Sequence, residues 1–446
     1  MPPRNRRTRP LAAAAWVGGL ALVALLAGIA LGVGGARGGA EPPAARTAPT
    51  PAATVPAPSG DDAPAGTTAS SGPAPVASVT PAPAPVRFTL VAAGDVLPHT
   101  PVNDSARTAD GYDFAALMAG VRPYIEGADL ALCHMEVPVS PEGVEPSGYP
   151  LFSAPKAIVR DLAKVGWDGC STASNHSVDR GTAGVEATLD AFDANGLQAA
   201  GTARTKKEAA TTAVYEVTSG DRTVTVAHVS FAYGTNGMPV SAPWQVGLFD
   251  ADAADPQPII DAARKARKQG ADVVLASVHC CVEYQTAPTD AQRAIAQKIA
   301  DSGQVDLYIG HHAHVPQPIE RLDGGPSGHG MWTAFGLGNF LSNQGTQCCV
   351  AATQNGVLLS ATVTVAADGT VKVKPAWTGT TVDRLGGHAV HVLTDIGGGA
   401  GTLSGAEVDS RLAAVTDAVG AHAPMHREPV TSLADHVVAV PRTDGA

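Results

Sequence analysis

The sequence is poor in charged residues. Asp, Glu, Lys and Arg make up 16% of its 446 residues, against about 25% in typical soluble domains. It is rich in turn-forming residues instead, with 49 Gly and 35 Pro. This composition argues against one uniform fold over the whole chain and predicts that part of it is flexible filler.

Positive charge is also scarce. The 30 Lys and Arg residues against 41 Asp and Glu give a net charge of −11. The basic residues inside the chain form no stripe, which argues against a nucleic-acid-binding surface. The excess of acid favours solubility and attracts cations.

One basic cluster stands apart at residues 4–9, where four arginines precede an uncharged, mostly apolar run at 11–33. The run is longer than a signal-peptide core and can cross about 30 Å of hydrocarbon as a helix. We interpret it as an uncleaved signal-anchor, with a cleaved signal as the alternative. The positive-inside rule places residues 1–10 in the cytoplasm and the later residues outside. The predicted location is thus the cell membrane, single-pass, with an extracellular C-terminal domain.

Residues 34–86 form a Pro/Ala-rich segment. From Ala40 to Val86 the sequence has no Leu, Ile, Phe, Trp or Tyr, so nothing there can form a core. We predict a disordered, semi-extended linker that holds the following domain away from the bilayer.

At Arg87 short apolar runs begin to alternate with amphipathic stretches, which predicts an α/β domain over 87–385. A polar and apolar alternation over Gly356–Pro375 predicts a β-hairpin near the end of this domain. The extension 386–446 contains one predicted helix, Gly405–Val419, and no evident chemistry. The predicted strands are Phe88–Ala93, Ala128–Met135, Gly169–Ala173, Val224–Phe231, Asp272–Val278, Val305–Ile309 and Thr333–Leu337. The predicted helices are Phe114–Glu126, Lys156–Val165, Gly184–Asn195, Asp255–Gln269 and Thr289–Asp301.

Side chains that can bind metals follow five of the predicted strands. In chain order they are Asp95, Glu136, Asn175 with His176, His279, and His312 with His314. Because ligands of open α/β sheets bind at the carboxyl ends of strands, we expect these loops to converge on one site.

The mixture of donors restricts the metal. Carboxylate and amide oxygens with several imidazoles suit Mn, Fe or Zn, whereas Ca prefers all-oxygen shells and Cu(I) prefers sulfur. Six candidate ligands, with one carboxylate able to bridge, favour two divalent ions about 3.5–4 Å apart.

These motifs resemble those of the bacterial capsule-synthesis protein CapA family, which is linked to poly-gamma-glutamate. The resemblance covers about residues 87–345 in the right order. It extends to the calcineurin-like metallophosphoesterases, and implies a two-sheet β-sandwich flanked by helices with a dinuclear metal site at the strand ends. The motifs that carry it are Gly94-Asp95, Met135-Glu136-Val137-Pro138, Asn175-His176 through Gly181, His279-Cys280-Cys281-Val282-Glu283-Tyr284, Gly310 through Val315, and Gly336-Leu337-Gly338-Asn339-Phe340.

The resemblance implies a role for each residue. Asp95 and His314 would bind the first metal, and Glu136 stands where a bridging carboxylate is expected. The second metal would be bound by Asn175, His279 and His312. His176 matches the histidine that protonates the leaving group, and Asp179 would hold its tautomer.

Some positions depart from the family pattern. Leu97 replaces a histidine of the phosphoesterases, and His99 is a candidate substitute for it. His134 takes a polar role or faces away from the site. We interpret His311 as a loop residue behind the site, His228 as a core histidine, and Asn339 as a turn element. Glu283 and Tyr284 are candidates to line the substrate cleft.

Six cysteines lie in the domain that is predicted to be external, where disulfides persist. Cys133 and Cys170 fall in strands that we expect to be neighbours. For the two vicinal pairs, Cys280-Cys281 and Cys348-Cys349, we favour a crosslink from one pair to the other. The alternative is that Cys280 or Cys281 acts as a metal ligand or nucleophile.

Two functions remain open. The first is a membrane-anchored, metal-dependent hydrolase or transferase of the phosphoesterase type, acting on an anionic envelope polymer or a phosphorylated precursor. The second is a non-catalytic assembly or tethering factor for a cell-surface polymer. Both are compatible with a capsule-synthesis complex, and neither requires nucleic acid.

Overall fold

Strands and helices alternate along the chain, as the sequence predicts for an α/β domain. The computed structural model describes residues 83–442. Its strands are β1 Val86–Leu97, β2 Arg107–Thr108, β3 Gly111–Tyr112, β4 Leu130–Met135, β5 Gly169–Ser171, β6 Gln198–Ala200, β7 Ala213–Ser219, β8 Arg222–Ala232, β9 Val273–His279, β10 Leu307–His311, β11 Ile319–Leu322, β12 Met331–Ala334, β13 Asn339–Ser342, β14 Asn355–Val365, β15 Val371–Asp383, β16 Ala389–Val392, β17 Gly399–Ala400, β18 Leu403–Ser404 and β19 His436–Val440. Its α-helices are α1 Thr100–Ser105, α2 Arg122–Glu126, α3 Ala157–Val165, α4 Gly181–Ala194, α5 Lys206–Ala210, α6 Gln257–Lys268, α7 Asp290–Asp301 and α8 Gly405–Val419.

Two large mixed sheets form the body of the fold. The first has the order β16-β15-β14-β1-β4-β5-β6, with β13 also paired to β1, and the second has the order β11-β12-β10-β9-β8-β7-β19. A shared apolar cluster packs between them, with Phe88 and Leu359 from the first sheet and Tyr215 and Leu275 from the second. The two sheets therefore form a sandwich.

The period-2 alternation of strand β1 shows how the layers are built. Phe88 and Leu90 belong to the cluster between the sheets. Val91 and Ala93 point the other way, into a second cluster that includes the α3 residue Leu162. A third cluster packs α6 and α7 on the outer face of the second sheet. The architecture is helix, sheet, sheet, helix, which agrees with the predicted helix-flanked sandwich.

Several predicted elements are confirmed closely. The hairpin prediction corresponds to the antiparallel pair β14 and β15. The α7 helix begins after Thr289, whose side chain accepts a hydrogen bond from the Gln292 N–H as an N-cap. Helix α8 has the predicted bounds.

The predicted helix Phe114–Glu126 is wrong over most of its length, because only its last turn is α2. The Leu117 carbonyl accepts from the Val390 N–H of β16 rather than from a later residue of its own segment. At Gly120 a Cβ atom would lie 2.7 Å from the Val390 carbonyl oxygen. The segment therefore forms turns that are held against β16.

Residues after 385 are part of the folded core. Strand β16 extends the first sheet, and β19 pairs antiparallel with β7 at the edge of the second. Helix α8 contributes Val408, Val415 and Val419 to the cluster between the sheets, beside the buried Trp377 of β15. The Trp377 Nε1–H donates to the Ala423 carbonyl at 3.1 Å.

We expect Trp377→Ala to lower the free energy of unfolding by about 3–5 kcal/mol, because it empties a site that is 1% exposed. Trp244→Ala is the matched control. Its side chain is 38% exposed, so we expect a loss of about 1 kcal/mol or less. Urea unfolding of the two variants measures both values, and equal losses would contradict the packing of α8 on β15.

The cysteine predictions have two outcomes. Cys133 of β4 lies directly beside Cys170 of β5 in the sheet register, and their sulfurs are joined. The predicted crosslink between the vicinal pairs is wrong, because Cys280 pairs with Cys281 and Cys348 with Cys349. With all six sulfurs paired, the described chain has no free thiol to act as a ligand or nucleophile.

The N-terminal predictions concern residues that the structure does not describe. The basic segment 1–10, the apolar run 11–33 and the linker up to residue 82 lie outside the described residues, whereas Val86 at the end of the predicted linker is buried in β1. Within residues 83–442, no helix combines the length and the apolar character needed to cross a membrane.

Candidate metal centre

The candidate site continues the layer between the two sheets toward the carboxyl ends of the strands. On β4, Leu130 and Leu132 are core residues, and His134 is the next residue on the same face. Strand β9 alternates in the same way, and His279 lies two residues beyond Ser277 on the face toward the other sheet. On β10, His311 follows Leu307 and Ile309 on that face. Apolar side chains thus give way to imidazoles at one end of the sandwich.

Asp95 lies at the centre of this end. It pairs in register with His134 of β4 on one side and with Asn339 of β13 on the other. The preceding Gly94 is required by packing, because a Cβ atom there would lie 1.9 Å from the Gly338 carbonyl oxygen. The Asp95 N–H donates to that same oxygen at 2.9 Å, so the close approach of two strands fixes the carboxylate.

One group of ligand atoms joins Asp95, Glu136 and His314, all of them buried. His314 Nδ1 lies 3.0 Å from Asp95 Oδ2, and His314 Nε2 lies 3.6 Å from Glu136 Oε1. Asn339 Oδ1 also lies 3.1 Å from His314 Nδ1. Asn339, which the sequence suggested as a turn element, therefore helps to orient the His314 ring.

A second group surrounds His279. Its Nε2 lies 2.8 Å from Asn175 Oδ1, and its ring centre lies 4.7 Å from that of His312. On its other side, His279 Nδ1 is 2.9 Å from His134 Nε2, while His134 Nδ1 is 2.7 Å from Ser171 Oγ. His134 thus takes the polar role that the sequence left open, and it orients His279 toward Asn175.

His176 and Asp179 form a hydrogen-bonded pair beside these groups. His176 Nδ1 lies 2.7 Å from Asp179 Oδ2, and the Phe152 N–H donates to the same oxygen at 2.7 Å. The Phe152 ring packs edge-on against His176, with ring centres 4.7 Å apart. The imidazole is held by a carboxylate and by packing, and it faces the cleft.

The remaining histidines differ in their distance from these ligand groups. His311 Nδ1 lies 3.4 Å from Asp95 Oδ1, and its ring stacks on that of His134 with centres 4.0 Å apart. His99, the candidate substitute for the missing histidine, directs Nδ1 to the Leu97 carbonyl at 2.9 Å and belongs to none of the ligand groups among the described residues. His228 Nε2 is 2.9 Å from Ser277 Oγ, which agrees with its interpretation as a core histidine.

Burial and mutual charge shift the pKa values of this cluster in opposite directions. Burial raises the pKa of Glu136 well above its usual value. Burial also opposes ionisation of Asp95, but the imidazoles of His311 and His314 beside its carboxylate outweigh burial and lower the Asp95 pKa. Burial lowers the pKa of His279 and takes that of His312 to about 4. His314 differs, because the carboxylates of Glu136 and Asp95 overcome burial and raise its pKa.

Five buried polar atoms of the cluster lack hydrogen-bond partners. Asp95 Oδ1, both carboxylate oxygens of Glu136, His311 Nδ1 and His312 Nδ1 are all without one. A buried polar atom without a partner is costly, so native structures satisfy nearly all of them. Carboxylate, amide and imidazole donors that face one another at about 3 Å are the set that Mn, Fe or Zn ions bind. The residues present therefore fit divalent metal ions.

A cleft opens from this cluster to solvent in two lobes that share Tyr149, His176 and Glu283. The first lobe, about 550 Å³, also exposes Asn175, His312 and Asp179. The second, about 480 Å³, reaches His314, Tyr284 and the Cys348-Cys349 pair. Glu283 and Tyr284 line the cleft, as the sequence suggested. Glu283 Oε1 lies 3.7 Å from His314 Nε2, so Glu283 with His312 and His314 is a further group of side chains that could hold a metal ion.

The sequence comparison decides the family. The sequence model described as bacterial capsule synthesis protein PGA_cap matches residues 89–344, more than half of the chain. This chain belongs to the PGA_cap family. The matched segment contains the whole candidate metal centre from Asp95 to Asn339, whereas β14 through β19 and α8 lie beyond it.

Curated relatives of this PGA_cap protein carry related names. The chain is 31% identical over 191 residues to the PGA biosynthesis protein CapA of Bacillus subtilis, covering 43% of this chain and 46% of the relative. It is 27% identical over 269 residues to the capsule biosynthesis protein CapA of Bacillus anthracis, covering 58% and 61%. It is 28% identical over 217 residues to a probable polyglutamine synthesis accessory protein of Mycobacterium tuberculosis, covering 44% and 53%. The matches thus span about half to three fifths of these relatives.

Solved structures that resemble this PGA_cap protein include two phosphoesterase-related chains. A calcineurin-like phosphoesterase of Bacillus subtilis aligns over 74% of this chain and 97% of its own, with 15% identity and a TM-score of 0.42. A phosphatase of Mycoplasma pneumoniae aligns over 67% and 96%, with 11% identity and a TM-score of 0.37. Both TM-scores are below 0.5, so the family assignment rests on the sequence match.

Proposed function

We propose that this PGA_cap protein is a metal-dependent hydrolase of the phosphoesterase type that acts on an envelope substrate. The observation that carries the proposal is the buried group Asp95, Glu136 and His314, in which Asp95 Oδ1 and both carboxylate oxygens of Glu136 lack hydrogen-bond partners. Such an arrangement is costly without a cation and favourable with one.

Two divalent ions, of Mn, Fe or Zn, fit the donor set. Asp95, Glu136 and His314 would hold one of them. The other ion would be held by Asn175, His279 and His312. Divalent ions in such sites polarise a phosphoryl oxygen and lower the pKa of a water molecule.

His176 is proposed to give a proton to the leaving group. The contact of its Nδ1 with Asp179 fixes the tautomer and leaves Nε2 for the substrate. Asp179 is itself oriented by the Phe152 N–H, so the pair is preorganised before substrate binds.

We also propose that residues 11–33 anchor the chain as a single-pass signal-anchor, with residues 34–86 as the spacer and the domain outside the cell. The support is the arginine cluster followed by an apolar run of membrane-spanning length. The chain is expected in the membrane fraction after carbonate extraction, and external protease is expected to cleave the linker in intact cells.

A non-catalytic role in polymer assembly or tethering is the second candidate. It is favoured by the name of the M. tuberculosis relative, which is called a synthesis accessory protein. The two candidates differ in one cellular result. Polymer retention that survives both Asp95→Asn and His176→Ala would favour tethering.

The test of the hydrolase is metal-dependent turnover by the full chain. Protein purified without chelators is expected to hydrolyse a p-nitrophenyl phosphodiester, to lose this activity on treatment with EDTA, and to regain it with Mn or Zn. Activity that EDTA leaves unchanged, or no hydrolysis with any of the metals, would contradict the proposal.

A further inference from the structure

In the part of the chain that the structure describes, the cleft lacks the basic lining that is expected of a site that binds along a negatively charged polymer. Proteins that follow a polyanion line the groove with Lys and Arg, which replace the counterions of the polymer. Among the described residues, none of the side chains that line either lobe of the cleft is a lysine or an arginine.

Two arginines that are close to cleft residues do not line the cleft. Arg180 follows Asp179, but its Nε–H donates to Ser153 Oγ at 3.1 Å and its Nη2 donates to the Leu151 carbonyl at 2.9 Å. Arg384 lies near Gly345 with its Nε buried, and it lines neither lobe. In the described part of the chain, no lysine or arginine of the cleft wall therefore compensates a second anionic group of the substrate.

The cleft instead carries negative charge beyond the metal centre. Glu283 contributes a carboxylate whose side chain is 39% exposed and which lies in both lobes. A carboxylate at this position repels further negative charge on the substrate, since like charges that face each other across an interface are costly. It accepts hydrogen bonds from hydroxyl groups without that cost.

The remaining lining is aromatic and amide in character. Tyr149 is 80% exposed at the mouth of both lobes. Each amide side chain offers a donor and an acceptor, which match the hydroxyl groups of sugars and polyols, and each tyrosine offers an apolar ring with a polar tip. Apart from the proposed metal ligand Asn175, the side chains of these two classes that line the cleft are Tyr149, Tyr233, Tyr284, Asn236, Asn343, Gln344 and Gln347.

We propose that the substrate is a phosphoester of an uncharged, hydroxyl-rich molecule, a sugar or a polyol. The phosphoryl group is the only anionic group that the substrate places in the cleft. The inference rests on the proposed function and selects the phosphorylated precursor over a continuous polyanion such as a chain of glutamate residues. The metal centre binds the phosphoryl group, while the tyrosines and amides bind the hydroxylated part.

A matched pair of substrates tests this selection with the full chain. Glyceryl p-nitrophenyl phosphate and its glycerate analogue share the leaving group and differ by one carboxylate. We expect kcat/KM to be at least about tenfold higher for the glyceryl ester, because the added carboxylate meets Glu283 and no lysine or arginine among the described residues. We also expect that poly-gamma-glutamate does not inhibit hydrolysis of the glyceryl ester.

Two charge-gain variants separate a local effect from a general one. Tyr149→Lys is expected to raise kcat/KM for the glycerate ester several-fold and to narrow the ratio of the two substrates. Ala367→Lys adds the same charge in the exposed turn between β14 and β15, at the opposite end of β1 from Asp95. We expect it to leave the ratio unchanged.

Equal or faster hydrolysis of the glycerate ester, or strong inhibition by poly-gamma-glutamate, would overturn the inference while metal-dependent hydrolysis stands. The inference would also be overturned if Tyr149→Lys and Ala367→Lys changed the ratio of kcat/KM for the two esters equally. Hydrolysis of neither ester with any added metal would instead overturn the proposed function, and the inference would fall with it.

Discussion

Asp95→Asn is expected to abolish metal-dependent hydrolysis, with a loss of at least about a hundredfold in metal affinity. Even partners that lie behind a metal ligand cost 10- to 100-fold when they are removed, and Asp95 is fully buried at the centre of the cluster. The substitution preserves the shape of the side chain and removes its charge. Metal content and kcat/KM of the purified variant measure the two losses.

A matched carboxylate controls for the change of charge alone. Asp110→Asn alters an exposed residue in the turn between β2 and β3, so we expect neither metal content nor activity to change. His314→Gln serves as a second variant in the cluster if Asp95→Asn fails to fold, which thermal unfolding will show. Folded variants of both residues that keep wild-type metal affinity would contradict the metal centre.

His176→Ala is expected to lower kcat by about 10²–10⁴-fold, which is the usual contribution of a general acid. We expect the metal content to stay unchanged. The loss should depend on the leaving group, because p-nitrophenolate leaves readily without a proton and an alkoxide does not. We therefore expect a larger loss for glycerol as the leaving group than for p-nitrophenol. Asp179→Asn should show the same dependence with a smaller loss, because it disturbs only the tautomer of His176.

The control for this prediction is His329→Ala, which removes an exposed histidine that lines neither lobe of the cleft. It should leave kcat unchanged for both leaving groups. A loss in His176→Ala that is equal for both leaving groups, or that is accompanied by loss of metal, would assign His176 to metal binding and contradict its role as a proton donor.

The position of the candidate site could be predicted from the sequence because parallel strands carry their polar ends to one edge. Asp95, Glu136 and His279 each occur where an apolar run ends, and the fold brings these ends together. The two-sheet architecture came from the family resemblance of the motifs, since periodicity alone indicates strands without saying how the sheets stack.

Only alternate residues of an extended segment face one site, so the sequence places His311 in a loop behind it. In the structure His311 is the last residue of β10, and its Nδ1 lies 3.4 Å from Asp95 Oδ1. His312 and His314 have positive φ angles of 81° and 56°, a region that non-glycine residues seldom adopt. These turns break the alternation, so three histidines of four consecutive residues approach Asp95. For His134 and His311 a usable signal was present, namely their parity with the core leucines of β4 and β10.

Other misses arise from long-range contacts. Strand β19 forms because β7 offers an unpaired edge more than two hundred residues earlier in the chain. The segment 114–121 forms turns because the Val390 N–H of β16 donates a hydrogen bond to the Leu117 carbonyl. Local sequence patterns carry neither kind of information.

Anomalous diffraction from crystals of the chain purified without chelators tests the central claim most directly, because it locates ions and identifies them together. We predict two peaks within the cluster, one in contact with Asp95 and His314 and the other with His279 and Asn175, at the metal–ligand distances of about 2.0–2.2 Å typical for oxygen and nitrogen ligands of zinc. A map without a peak near Asp95, from protein soaked in Mn and Zn, would contradict the metal centre and the hydrolase built on it.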